Sequence, residues 1–441
     1  MLHRFTRRDR FRSLLLFGVL LVAPTVARAN GRFPAANQLV VDPSDPEHFL
    51  LRATYGLLSS HDAGNTFSWI CEDVLGAVGE TDPAVAIFHA GALVTAAQNQ
   101  LMLSDASGCS FTNALPKTAS EFPVDVSNDP ADGSLALAIA RSGDGSGDVH
   151  LYEIDGNSAA ARPIGASLGN DLFPLTLDAA PSLSTRIYVT ALSTSPASVL
   201  LRTDDRGETW ARIEIHPYER LQAYIAAVDP NDPAKLYVRV NDDPSDHLLV
   251  SADAGDHFDE VTLAPSKLPG FALSPDGATI AVGGPGAPVQ IAAADELTFV
   301  AGGPTFALLS CLKWTGAGLY ACADDRSDGF TLGLSSDEGR SFAALFHAAE
   351  LTPLACDATS DVGARCPRVW SSVGAQLATG AAGAPSAGAP SPSQPAPKRD
   401  SAAAGCAFGS RFKPKYDVIA AFIGLITLGA LRRRGPTPTA D

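Results

Sequence analysis

One short turn recurs along most of this chain and constrains what the chain can fold into. Its pattern is a hydroxyl residue, any residue, Asp, any residue, Gly, any residue, a polar residue and an aromatic residue. Four copies are complete, and they comprise residues 60–67, 203–210, 251–258 and 335–342. A fifth copy, residues 104–111, has Ala106 in place of the Asp. Such a repeat predicts a fold built from similar units, each with the same turn.

The residue types of this turn suit a hairpin between two strands. A carboxylate two residues after a hydroxyl can accept backbone N–H bonds across the turn, Gly supplies a positive φ, and the aromatic residue gives the next strand an apolar face. We assign these residues structural roles, because an active site occurs once whereas the turn recurs. They are Ser60, Asp62, Gly64, Phe67, Thr203, Asp205, Gly207, Trp210, Ser251, Asp253, Gly255, Phe258, Ser335, Asp337, Gly339 and Phe342.

The spacing of the turns predicts the number of units. The opening hydroxyls fall at positions 60, 104, 203, 251 and 335, so two of the intervals are about twice as long as the others. Halving the long intervals predicts units without the turn near residues 152 and 292. Seven units of about 45 residues result, which is the size of a four-stranded blade. We therefore predict an all-β fold, a single seven-bladed β-propeller, in which residues 35–41 complete the last blade beside residues near Val369.

The two ends of the chain have the composition of targeting segments. Residues 1–29 combine basic residues, a short apolar run and a small-residue cleavage site, which predicts a signal peptide. The propeller then occupies residues 30–370, and residues 371–404, rich in Ala, Gly, Pro and Ser, are predicted to be a flexible linker. Residues 405–441 contain Cys406, the apolar run 418–431 and the cluster Arg432, Arg433 and Arg434. This segment is predicted to be either a sorting signal that is cut at Cys406 or a tail anchor that contacts the membrane.

The seven cysteines of an exported chain predict three disulfides and one unpaired thiol. Cys311 and Cys322 flank a Gly-containing turn, so they face each other if the segment is a hairpin. Cys356 and Cys366 close a short loop, which leaves Cys71 with Cys109, each at or near a turn of neighbouring units. Cys406 remains without a partner.

Charge and motifs exclude several classes of function. The net charge of −16 disfavours a nucleic-acid partner. No cofactor-binding or HExxH motif is present, so we expect no cofactor. Asp144, Ser146 and Asp148 place oxygen atoms at alternate positions, as some Ca²⁺ loops do, although a Gly-rich hairpin tip explains the same residues.

The recurrent turn resembles the Asp-box (BNR) repeat of sialidase-like, sortilin-like and photosystem-assembly-factor-like β-propellers. This resemblance implies that the boxes lie on the outer rim, away from the ligand face. Gly405 and Cys406, followed by the apolar run and the arginines, resemble the C-terminal sorting tags of myxobacterial surface proteins.

These features lead to one functional hypothesis and two alternatives. The hypothesis is an exported, surface-attached, monomeric propeller that acts as a non-catalytic binding or scaffold module for an unknown extracellular protein or glycan. One alternative is a photosystem-assembly-like chaperone. The other is a sialidase-like glycoside hydrolase, which requires an arginine triad, a Tyr nucleophile with a Glu partner and an Asp acid. Arg32, Phe33 and Pro34 resemble the first-arginine motif of the sialidases. The other two arginines stay unassigned among Arg52, Arg141, Arg162, Arg186, Arg239 and the remaining arginines.

Overall fold

The computed structural model describes residues 35–77, 82–116, 120–195 and 197–381. The chain divides into two units, Met1–Ser386 and Ala387–Asp441, and the second unit lies outside the described residues. The predicted signal peptide, the Arg32 motif, the end of the linker, Cys406 and the cluster Arg432 to Arg434 also lie outside them.

The described residues form seven sheets, which we number as blades 1 to 7. The strands of blades 1 to 4 are β1 (Ala36–Asp42), β2 (Asp45–Ala53), β3 (Gly56–Ser60), β4 (Ser68–Ile70), β5 (Ala84–Ile87), β6 (Leu93–Ala97), β7 (Gln100–Ser104), β8 (Phe111–Asn113), β9 (Glu121–Asn128), β10 (Leu135–Ser142), β11 (Val149–Asp155), β12 (Ala160–Gly169), β13 (Leu172–Ala180), β14 (Leu183–Ser193), β15 (Ser198–Thr203) and β16 (Ala211–Glu214). Those of blades 5 to 7 are β17 (Gln222–Val228), β18 (Leu236–Asn241), β19 (His247–Ser251), β20 (Asp259–Val261), β21 (Gly270–Leu273), β22 (Thr279–Gly283), β23 (Pro288–Ala293), β24 (Val300–Thr305), β25 (Cys311–Thr315), β26 (Gly318–Cys322), β27 (Leu332–Ser335) and β28 (Ala343–Phe346).

Each blade has four antiparallel strands in chain order, and blade 1 gains a fifth, parallel strand from the segment after blade 7, so the fold is the predicted seven-bladed β-propeller. The two units predicted without the turn are blades 3 and 6, whose third strands are β11 and β23. The first strand of each blade lines the central channel, and the fourth lies at the rim. Every recurrent turn connects the third strand to the fourth. We call the face that carries these turns the box face, and the opposite face, with the connections between blades, the mouth face.

The blades pack through apolar side chains that fill the spaces between neighbouring sheets. At the junction of blades 7 and 1, the rings of Phe49 and Tyr320 meet edge to face with centroids 5.1 Å apart. Phe67 and Phe346 lie 4.7 Å apart at the same junction. All four side chains are buried, so this junction resembles the interior of one continuous core.

The ring closes differently from the prediction. The strand expected to complete the last blade, β1, instead pairs with β2 as the first strand of blade 1, and Val369 lies in a helix. Blade 1 takes all four of its main strands from one continuous segment, residues 36–70. Closure comes from the chain after blade 7, where β29 (Thr352–Pro353) pairs in parallel with the outer strand β4.

Two of the three predicted disulfide pairings are wrong. Cys311 pairs with Cys322 across β25 and β26, as expected. Cys71 pairs with Cys366, and Cys109 pairs with Cys356. The prediction failed because it paired cysteines that are close in sequence. The chain after blade 7 instead crosses to blades 1 and 2, where Cys366 meets Cys71 and Cys356 meets Cys109.

The chain that follows blade 7 forms what we call the latch, residues 352–381. It contains β29, α1 (Asp361–Arg365) and α2 (Pro367–Ala381). Trp370, Val373 and Leu377 share one face of α2 and pack on the core of blade 1, where Trp370 lies 5.2 Å from Trp69. Residues 371–381 are therefore helical and do not belong to a flexible linker. Their alanines favour helix, and the apolar residues at helical spacing give it a face to bury.

Candidate functional site in the central channel

The four complete box turns share one hydrogen-bond pattern. In blade 4, Thr203 donates to the Asp205 carboxylate at 2.7 Å, and its hydroxyl accepts from the backbone of Gly207 at 2.8 Å. The carboxylate also accepts from the backbone and the hydroxyl of Thr209, at 2.9 and 2.7 Å. These hydrogen bonds lower the pKa of Asp205 to about 2, and the pKa values of the equivalent Asp253 and Asp337 also lie at about 2. The carboxylate of every complete box thus accepts hydrogen bonds from its own turn.

The backbone explains why each box has its Gly. The residue before Gly also has a positive φ, which is 59° at Arg206, and Gly207 follows at 96°. In the incomplete copy, Asp105 replaces the missing carboxylate from the neighbouring position. It accepts hydrogen bonds from the backbone of Ser107 and Cys109, both at 3.1 Å.

The register of the four blades with complete boxes identifies equivalent residues along the channel. In each of these blades, one residue of the second strand is paired with the residue that carries the box hydroxyl. The residue that follows it on the second strand is paired with a residue of the first strand. The first-strand partners are Val40 in blade 1, Asp178 in blade 4, Ala227 in blade 5 and Lys313 in blade 7. The box hydroxyl pairings that fix this level are Phe49 with Ser60, Ile187 with Thr203, Leu236 with Ser251 and Leu319 with Ser335. Among these four blades, the channel therefore carries an acidic residue in blade 4 and a basic residue in blade 7 at the same level, with apolar residues in blades 1 and 5.

The acidic side of the channel spans blades 3 and 4. Asp178 accepts a hydrogen bond from Ser127 at 3.1 Å, and the Asp125 carboxylate accepts from the backbone of Leu177 at 2.9 Å. These bonds join β9 to β13. Burial in the channel wall raises the pKa of Asp125 to about 7 and that of Asp178 to about 6, against the hydrogen bonds that favour the ionised forms.

Lys313 supplies the basic group on the blade 7 side of the channel. Its side chain is exposed although it lies on an innermost strand, so solvent reaches this level of the channel. Enclosure by the channel wall lowers the pKa of Lys313, and the negative charge of Asp178 opposes that shift. Asp178 and Lys313 thus influence each other's charge without an ion pair between them.

The sequence offered one signal for these two residues that the motif analysis missed. Both are charged residues inside short apolar strands, in Leu177-Asp178-Ala179 and Leu312-Lys313-Trp314. A charge in such a strand indicates either a buried pair or a channel position.

The described arginines that were candidates for the sialidase triad bind other partners. Arg52, Arg141 and Arg239 lie on the second strands of blades 1, 3 and 5. Each guanidinium donates to a backbone carbonyl near the first strand of the following blade, at 3.0–3.2 Å. The acceptors are Pro83, Leu172 and Leu268. The three arginines therefore join neighbouring blades, and no hydrogen bond of the described part of the chain brings two of them together. Arg162 pairs with Glu153, and Arg186 pairs with Asp204.

A Tyr–Glu pair does occur, but it lies away from the channel in blade 5. Tyr218 donates to Glu260 at 2.6 Å, and the same carboxylate accepts from His247 at 2.6 Å. The other ring nitrogen of His247 lies 3.3 Å from Asp242. Burial opposes protonation of His247, but these two carboxylates outweigh it and raise the pKa of His247. Burial and the neighbouring Glu260 also raise the pKa of Tyr218, which opposes its use as a phenolate nucleophile.

The structure also shows how the calcium candidates are arranged. Asp144 accepts from the backbone of Ser146 at 2.8 Å, and Ser146 accepts from the backbone of Asp148 at 3.2 Å, as in a hairpin tip. In the ranges that the structure covers, no three His, Cys, Asp or Glu residues are grouped to hold a metal ion. Within the same ranges, no helix has the length and apolarity required to cross a membrane.

Comparisons with known proteins extend only to the fold. No protein-family model and no curated protein matches the chain. A puromycin-hydrolyzing peptidase of Mycobacterium tuberculosis is similar in structure, with 13% identity and a TM-score of 0.52 over 73% of this chain and 55% of that one. Hydrazine synthase of Kuenenia stuttgartiensis has 14% identity and a TM-score of 0.47 over 68% and 95% of the two chains. An ancestral GH74 enzyme has 13% identity and a TM-score of 0.42 over 72% and 39%. At such identities the similarity is one of fold alone.

Proposed function

We propose that this protein is an exported, non-catalytic binding module whose binding site is the central channel of the propeller. The observation that carries the proposal is the pair formed by Asp178 and Lys313. The two residues lie at one level of the channel and interact electrostatically, and solvent reaches Lys313. A concave site with a few charged groups and perturbed pKa values is the expected form of a binding site.

The box carboxylates and the second-strand arginines have structural roles, which supports placing the site in the channel. The box carboxylates bind their own turns, and the three second-strand arginines bind backbone carbonyls of the next blade. Arginines engaged in this way are not free to grip a substrate carboxylate together. This arrangement favours a binding role over a sialidase-like hydrolase.

The cell exterior is the proposed location. Three disulfides in the described part of the chain indicate an oxidising compartment. Attachment to the cell surface is a further part of the proposal and rests on the sequence of residues 405–441, with Cys406 and Arg432 to Arg434. The partner would be an extracellular protein or glycan, or a small molecule, with a charged group that enters the channel.

Retention of ligands by the immobilised full-length protein tests this function. The protein is exposed to a glycan array and to a culture-supernatant extract, beside the double variant Lys313→Met with Asp178→Asn. We expect compounds that the wild type retains and the variant does not, released chemically unchanged on denaturation. Equal retention by both proteins would contradict the channel as the site, and release of a chemically altered compound would contradict a non-catalytic role.

A further inference from the structure

The Lys313 ammonium group is an unused donor in the central channel. It forms no hydrogen bond or ion pair with any residue that the structure describes, although solvent reaches it. A lysine elsewhere in the propeller shows the contrast: Lys235 donates to the carbonyl oxygen of Ala294 at 2.9 Å. With no acceptor on the protein, its N–H donors are open to a molecule that enters the channel. A ligand that accepts hydrogen bonds from Lys313 would gain charge-assisted contacts there.

The charge of the channel restricts what that ligand can be. A simple anion would satisfy Lys313 but would add negative charge near Asp178, whereas a simple cation would be attracted to Asp178 and repelled by Lys313. A molecule with a carboxylate at one end and an ammonium group at the other satisfies both. Val40 and Ala227 lie at the same level and offer apolar surface to the part between the charges.

From this arrangement we infer that the central channel binds a small zwitterion of the amino-acid type, with its carboxylate on Lys313 and its ammonium group towards Asp178. The inference rests on the proposed function, since it assigns a ligand class to the same site. Ser127, which donates to Asp178 at 3.1 Å, holds the carboxylate of Asp178 in place.

Calorimetric titration of the full-length protein tests the ligand class. The probes are glycine, β-alanine and 4-aminobutyrate, which differ in the separation of their charges, beside acetate and methylammonium, which carry one charge each. We expect at least one zwitterion to bind, and to bind at least about tenfold more tightly than acetate or methylammonium, because it makes two charge-assisted contacts. Failure of all three zwitterions to bind, or equal binding of acetate, would overturn the inference.

Variants connect the binding to the two residues. Lys313→Met and Asp178→Asn keep the side-chain size, and each should weaken zwitterion binding by about tenfold or more. The control Arg340→Gln removes a positive charge from an exposed box turn of the same blade and should leave binding unchanged. If Lys313→Met does not fold, Asp178→Asn and the charge-preserving Lys313→Arg carry the test. Unchanged affinity in Asp178→Asn would overturn the inference.

The two binding experiments together distinguish failure of the proposed ligand class from failure of the proposed function. If no zwitterion binds but the double variant still loses compounds that the wild type retains, the ligand class is wrong and the binding function stands. If the double variant retains what the wild type retains, both are wrong.

Discussion

The latch disulfides allow a quantitative test of how the ring is held closed. Cys71–Cys366 and Cys109–Cys356 connect residues 295 and 247 positions apart, whereas Cys311–Cys322 connects residues 11 positions apart. In the chain-entropy treatment, closing the longest loop stabilises the folded state by about 5.7 kcal/mol and closing the shortest by about 2.8 kcal/mol. The two latch disulfides, however, are not independent.

Once one latch disulfide is closed, the other closes only a short circuit. That circuit runs from Cys71 to Cys109 and from Cys356 to Cys366, about 50 residues in all, and its closure contributes about 4 kcal/mol. Replacing one latch pair by alanine should therefore cost about 4 kcal/mol, and replacing both should cost more than twice as much. Replacing Cys311 and Cys322 should cost about 3 kcal/mol.

Urea unfolding followed by tryptophan fluorescence measures these losses, because Trp370 of the latch packs 5.2 Å from Trp69 of blade 1. As a control, the wild type and the variants are unfolded under reducing conditions, in which the differences in their free energies of unfolding should disappear. If removal of both latch pairs costs no more than removal of the hairpin pair, the latch does not close the ring and the reasoning is refuted.

Three further predictions concern single residues. Gly165→Ala should lower the melting temperature markedly, because a Cβ atom there would lie 2.1 Å from a backbone carbonyl oxygen of the next blade. Gly145→Ala, also at positive φ but with open space around it, should lower the melting temperature less. Equal losses in thermal unfolding would contradict this. Asp205→Ala should destabilise the protein more than Glu208→Ala in the same turn, and this difference should fade as the pH falls through about 2. The reason is that the pKa of Asp205 is lowered to about 2 from 3.8, so its stabilisation is present only while the carboxylate is ionised. A difference that persists in thermal melts at lower pH would be evidence against the carboxylate's role. The pKa of His247 is raised above 6.5, so its contribution to stability is complete below that pH and is lost as the pH rises through the folded pKa. The melting temperatures of the wild type and His247→Gln should therefore differ most at acidic pH. An equal difference at pH 8.5 would argue that protonation is not involved.

The sequence was informative where the chemistry is local. Each box needs a hydroxyl, a carboxylate and a Gly within eight residues, and the observed hydrogen bonds of Asp205 follow from that order alone. Their spacing then gave the number of blades, including the two without boxes. The pairing of Cys311 with Cys322 was predictable for the same reason, since both lie on one hairpin.

The linker prediction missed α2 because it rested on the composition of residues 371–404 and not on the helical spacing of the apolar residues before and within them. Residues 371–381 are rich in small residues, but Trp370, Val373 and Leu377 form an apolar face that blade 1 covers. Burial of that face, more than the propensity of the small residues, accounts for the helix.

By itself, the sequence determined the repeated unit: the turn, its hairpin and the number of blades, because these depend on residues that are neighbours along the chain. Only the tertiary structure decided how the ring closes, which cysteines meet across it, and that Asp178 and Lys313 lie at one level of the channel. These arrangements bring together residues that are far apart along the chain or that belong to separate blades. Their formation depends on the curvature of the whole ring, which no local pattern specifies.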